Sequence, residues 1–121
     1  MTSRVALTVP PQPRSLAVVR TTVGGAAARA HLTLDQVEDL RMAVEEAAVH
    51  LLRANPPWLE VEVVDAGDRV DVIVRAPVPE HTRLPPVSEF AALLLDSLAD
   101  THRSEHDGDG ARIVLSLAKP T

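Results

Sequence analysis

The stretch from Thr33 to Leu52 carries Leu34, Val37, Leu40, Val44, Ala47, Ala48 and Leu51 at helical spacing. At about 100° per residue these side chains fall within little more than one-third of a helix circumference. So one-sided an apolar stripe must be buried, and the remainder of the chain has to supply the layer that buries it. Thr33-Leu34-Asp35-Gln36 reads as a capping box that starts the helix, the Thr33 hydroxyl serving an early backbone N–H while Gln36 reaches back. Asn55-Pro56-Pro57 stops it, because proline disfavours helical geometry in the residue ahead of it. Asp39, Ala43, Glu46 and His50 form a second line of i, i+4 and i+3 neighbours, read as a mixed polar face roughly opposite the stripe.

The flanking segments alternate as strands do. Val5, Leu7 and Val9 form one, ended by Pro10-Pro11-Gln12-Pro13; Leu59, Val61, Val63 and Val70, Val72, Val74 form a hairpin around Ala66-Gly67-Asp68, with Trp58 expected to anchor its first strand in the core. Leu16, Val19, Val23, Ala27 and Ala30 recur at helical spacing, although Gly24 and Gly25 each cost such a helix about 1 kcal/mol relative to alanine. The glycine pair has two readings, a flexible or broken second half and a small-residue patch that lets another backbone approach. Ala76 to Pro86 carries four prolines and reads as a loop; Val87, Phe90, Leu94 and Leu98 mark a further helix with Pro86 in its first turn. A short edge strand over Thr101 to His106, a turn at Asp107-Gly108-Asp109-Gly110 and a strand through Ile113, Leu115 and Leu117 complete the chain. This order predicts an α/β protein of the α+β kind, a two-layer sandwich with three helices on one face of a mostly antiparallel sheet. With 121 residues, 45% of them hydrophobic, the chain is expected to form a single domain over 1–121.

Composition narrows the chemistry. There is no cysteine, so disulfides, thiolate metal sites and thiol nucleophiles are out. A formal net charge of -5 with 2% aromatic residues argues against direct nucleic-acid binding. Met1 to Leu7 lacks a signal-peptide pattern and no apolar run reaches membrane-spanning length, so a soluble, cytoplasmic protein is expected. His81, His102 and His106 with Asp107 and Asp109 lack the spacing that sets ligands on one helix face, and no metal is expected. The serines lack a nucleophile elbow. Glu46 remains, a mid-helix carboxylate off the apolar stripe, open to reading as a solvated side chain or as a general base facing a cleft. His50 is either its ordinary i, i+4 partner or a site residue, and Glu45, nearer the packed face, reads as structural.

The run Leu34 to Ala47, LDQVEDLRMAVEEA, resembles the long-helix segment of the bacterial anti-sigma factor and serine-protein kinase family of the RsbW and SpoIIAB type, which has the histidine-kinase-like ATPase (Bergerat-type) fold. Ser15 to Arg20 is similar to that family's first helix, and the order of elements matches across nearly the whole chain. In active members this helix bears a glutamate that orients the attacking group and, four residues on, an asparagine that holds magnesium. The resemblance puts Glu46 and His50 at those places, and histidine is a poor substitute because magnesium prefers hard oxygen ligands. Where the family has an aspartate in a glycine-rich stretch that reads adenine, this chain has Arg75-Ala76-Pro77-Val78-Pro79; where a glycine-rich turn meets phosphate, it has Pro85-Pro86-Val87-Ser88-Glu89. This pattern is most similar to actinobacterial anti-sigma factors of the UsfX type, whose ATP boxes are likewise eroded. It implies an anti-sigma factor that sequesters an alternative sigma factor and yields it to an anti-anti-sigma antagonist, with ATP and magnesium binding weak or lost. The alternative is an active serine-protein kinase using Glu46. The resemblance further implies a homodimer, with Arg20 as a sigma contact; the first strand and the Gly24-Gly25 helix are the candidate dimer surface.

Overall fold

A computed structural model describes residues 3–79 and 81–120. Met1 and Thr2, which begin the segment read for a signal peptide, and Glu80, in the proline-rich loop, lie outside the described residues. The elements follow the expected order: β1 (Ser3–Val9), α1 (Ser15–Arg29), α2 (Leu34–Leu52), β2 (Leu59–Asp65), β3 (Arg69–Ala76), α3 (Glu89–Leu98), β4 (Thr101–Asp107) and β5 (Gly110–Ala118). The strands form one antiparallel sheet in the order β1-β2-β3-β5-β4.

Strand alternation decides which face is covered. Val63, Val72 and Leu115 stand in one cross-strand row and Val61, Val74 and Ile113 in the next, all buried, so the inner face is a continuous aliphatic surface. The α2 helix lies across β3 and β5 on that face, with α1 over β1 and β2 on one side and α3 by β4 on the other. Leu40, Val44, Ala47 and Leu51 of α2 are buried against the sheet. On the opposite face the same alternation puts charge: Arg4 with Glu62, Arg75 with Glu60, Arg69 with Asp71, and Arg112 and Arg103 with Glu105. This face is therefore solvated and lightly cross-linked by ion pairs.

The capping box forms as the sequence predicts: the Gln36 N–H donates to Thr33 Oγ1 at 3.1 Å and the Thr33 N–H to Gln36 Oε1 at 2.9 Å. Gln36 also donates from Nε2 to the Ala118 carbonyl at 2.8 Å, tying the start of α2 to the end of β5. At the other end of α2, Asn55 takes a left-handed φ of 50°, and the Ala54 and Asn55 N–H groups cap the carbonyls of Leu51 and Leu52. Gly110 opens β5 at φ 123°, where a Cβ would stand 2.4 Å from the Ala76 carbonyl oxygen, so only glycine lets β5 pass this close to the end of β3.

Several expectations are corrected. The α1 helix runs unbroken through Gly24-Gly25. Gly24 is buried, with a notional Cβ only 3.0 Å from Arg41 Cδ, so its bare backbone admits a side chain of α2 rather than another backbone. Leu34, assigned to the stripe, is 76% exposed, because it lies at the stripe's margin where no neighbouring element reaches. Ala43, assigned to the exposed line, is fully buried, since alanine is small enough to fit under a packed flank. Trp58 is 46% exposed beyond the sheet's end and anchors no core. The third helix starts only at Glu89, capped by the Ser88 hydroxyl, which accepts from the Ala91 N–H; Pro86 stays in the loop and Phe90 faces solvent.

Gly25 meets nothing within 4 Å of a notional Cβ and sits inside a helix without a positive φ. Replacing it with alanine removes unfolded-state freedom at no steric cost, so Gly25→Ala should stabilise the fold by about 0.5–1 kcal/mol in urea unfolding. An unchanged or lower midpoint would show that α1 does not persist through this point.

Candidate functional site

The last turns of α2 flank a cleft of about 370 Å³. Four stretches far apart in sequence wall it: His50 and Leu51 of α2, the loop 82–87, residues 104–106 of β4 and 111–113 of β5. They meet because β4 and β5 run together beside the end of α2. Leu84 from the loop packs against the core, and Pro85 and Pro86 stiffen the loop where it lines the cleft. The start of the loop is pinned by His106, whose Nε2 lies 3.2 Å from the Val78 carbonyl oxygen and 3.0 Å from that of Pro79. On the outer face of β4 and β5, behind the cleft, Glu105 accepts from Arg103 Nε at 2.8 Å and from Arg112 Nε at 2.6 Å. These two guanidiniums, Arg103 foremost, hold the Glu105 carboxyl below its usual range, and Glu105 in turn raises Arg112.

Of Glu46, His50 and Arg20, the structure brings only His50 into the cleft lining, where His106 and the Pro85-Pro86-Val87 stretch join it. Glu46 is half-buried one turn earlier on the same flank and does not line the cleft. Burial pushes the His50 imidazole below its ordinary 6.5; the Arg53 charge adds to this and Glu46 partly offsets it. The ring is thus an uncharged nitrogen ligand or hydrogen-bond partner at neutral pH. Arg20 lies elsewhere, on the seam where α1 meets α2, with Nη1 2.5 Å from Glu45 Oε1. Both side chains stay partly exposed, and Glu45, read from its place on the helix as structural, is the partner of Arg20 across the seam.

The histidines and aspartates of the polar hairpin are engaged separately. His102 Nε2 is 2.6 Å from Asp96 Oδ1, His106 contacts the loop carbonyls, and Asp107 Oδ1 accepts the Asp109 N–H at 2.8 Å in a local turn. Among the described residues no three His, Asp or Glu side chains come together as a metal site, and no helix is long and apolar enough to cross a membrane. Leu84 was missed as a site residue, its only trace in the sequence being the density of proline between Ala76 and Pro86, and His106, considered only as a metal ligand, instead pins the loop.

Because the folded chain holds His50 below 6.5, the unfolded chain binds the extra proton first, and stability should fall as pH drops through and below 6.5. The loss levels off once the folded-state ring is also protonated. Asp65 and Glu105, whose carboxyls are lowered, contribute only further down, as pH falls through about 5 and below. Urea midpoints between about pH 5 and 7 should therefore fall less steeply in His50→Gln than in the parent protein. Parallel curves would remove His50 as the titrating group.

No family model matches the chain. Over 106 residues, 86% of its length, it is 36% identical to the anti-sigma-F factor RsbW of Mycobacterium tuberculosis. It is 31% identical over 83 residues to the serine-protein kinase RsbW of Bacillus subtilis, a match covering 55% of the chain and 52% of that protein. The chain spans 62% of the mycobacterial relative's length. Among solved structures, that of the RsbU and RsbW domains of Rv1364c from Mycobacterium tuberculosis superposes over 97% of this chain and 32% of that one, with a TM-score of 0.74 and 13% identity, a likeness of fold. By sequence over most of its length and by fold over nearly all of it, the chain is a homologue of the RsbW-type anti-sigma factors and serine-protein kinases.

Proposed function

We propose that this chain sequesters an alternative sigma factor and releases it to an anti-anti-sigma antagonist, acting by binding alone and without nucleotide chemistry. The observation that carries this reading is the chemistry of the cleft beside α2. The place that the resemblance gives to a magnesium ligand holds the uncharged imidazole of His50, and Glu46 stands outside the lining. Leu51, Leu84, Pro85 and Pro86 make the neighbouring wall apolar, and Glu89 sets a negative charge at the start of α3, where a phosphate would need backbone N–H groups and positive potential. These residues do not fit a magnesium nucleotide, so no step of the function is routed through one. The names of the relatives, an anti-sigma-F factor and a serine-protein kinase, supply the partner class and the competing reading, kinase activity with Glu46 as base.

In this reading the working surface is the α1–α2 seam. Arg20 is the proposed sigma contact, and an acidic group of the partner displaces Glu45 from it. The net charge of -5 favours encounter with the basic surface of a promoter-reading protein. The working assembly is a homodimer formed through the outer edge of β1, which pairs with β2 on one side only; the α1 glycines play no part in it at Gly24, already filled by Arg41. The cytoplasm, where sigma factors act, is its place.

Titration calorimetry with Mg-ATP should give no binding heat while a cognate alternative sigma factor is captured in a stoichiometric complex. Micromolar nucleotide binding with phosphate transfer to an antagonist, abolished in Glu46→Gln, would favour the kinase instead. At the seam, Arg20→Gln should weaken sigma capture by about tenfold, as expected for losing a charge-assisted contact, whereas Glu45→Gln should leave capture unchanged or tighter. Equal losses in both variants would reduce the ion pair to a purely structural one.

A further inference from the structure

The only phenylalanine in the chain is not in its core. Phe90 is 75% exposed on α3, and Leu93, one turn on, is 66% exposed. Ala91, Leu95 and Leu98 bury the inner side of this helix and the half-buried Leu94 packs against the core beside them, so Phe90 and Leu93 form an exposed i, i+3 apolar pair that folding does not use. Beside that pair stand Glu89 and Asp96, and the stretch from Val87 to Thr101 holds three carboxylates and no lysine or arginine. Asp96 takes His102 on one oxygen and keeps 65% of its side chain exposed.

From this we infer that the outer face of α3 is a second docking surface, built for a basic amphipathic helix of a partner protein. An exposed apolar pair flanked by Glu89 and by an Asp96 that no lysine or arginine neutralises matches a segment that carries leucine-like side chains on one side and lysine or arginine beside them. The same charges argue against other occupants. A symmetric second copy would set Glu89 and Asp96 against their own equivalents, and an anionic bilayer would repel them. The aromatic ring is the expected anchor, since exposed aromatics buried on association dominate binding energy at interfaces. The surface lies on the flank of α2 opposite α1 and Arg20, and the inference does not depend on the sigma-binding reading.

The test uses a fluorescent, helical peptide made only of leucine and lysine, titrated against the full chain at low and high salt. Phe90→Ser and Leu93→Ser should each weaken binding by about tenfold with the circular dichroism spectrum and melting temperature unchanged. Met42→Ser, an exposed apolar residue on α2, should have no effect, and Glu89→Gln with Asp96→Asn should flatten the salt dependence. Equal effects of Phe90→Ser and Met42→Ser, or no effect of either, would overturn the proposal. So would self-association that depends on Phe90 in sedimentation, or pelleting with phosphatidylglycerol vesicles that depends on Phe90.

Discussion

The packing of α2 onto the inner face of β3 and β5 sets the position of everything else. Leu40, Val44, Ala47 and Leu51 press on a sheet whose inward positions are almost all valine, leucine or isoleucine. Each buried side chain of that kind contributes on the order of 1.5–3 kcal/mol, so this layer dominates what holds the domain folded. Because the stripe covers only part of the helix circumference, two flanks remain, and both the α1 seam and the cleft are built on them.

The two flanks differ in chemistry. Toward α1 the contact is close and charge-paired: Gly24 removes its own side chain to admit the Arg41 stem, and Arg20 reaches Glu45 across the seam. Toward α3 and β4 the space widens into a cleft with an apolar wall, an uncharged imidazole and a proline-stiffened loop along one side. A long helix shared by a charged seam and an apolar cleft can retain one while the other drifts, because the loop 82–87 lies beside the end of α2 at Leu51, on the flank away from Arg20. Under the proposed function, this separation lets protein binding on one flank persist whatever becomes of the other.

The backbone plan was readable from residues one to four apart. Thr33 and Gln36 satisfy each other locally, the β2–β3 alternation is a local period, and Asn55-Pro56-Pro57 blocks helix by sterics alone. The errors share a different cause. Whether Leu34, Ala43, Trp58 or Phe90 is covered depends on which distant element lies over it, and hydropathy alone does not carry that information. Ala43 is small enough to be buried anywhere, while Phe90 looks like core because the residues that fill its place, Leu95 and Leu98, lie further along α3. The cleft was invisible for the same reason: its walls come from positions 50, 82–87, 104–106 and 111–113, which only the fold brings together. His50 was picked out by its i, i+4 place after Glu46 and again by the resemblance, and its lowered basicity became evident only once its burial was known.

Affinity for a cognate sigma factor, measured with the protein first stripped of nucleotide by apyrase and then in saturating Mg-ATP, separates a binding module from a nucleotide-driven switch. The account predicts one affinity in both conditions, with complex formation complete in the stripped protein. A complex that forms only when Mg-ATP is returned, or tightens by about tenfold or more on its addition, would contradict it.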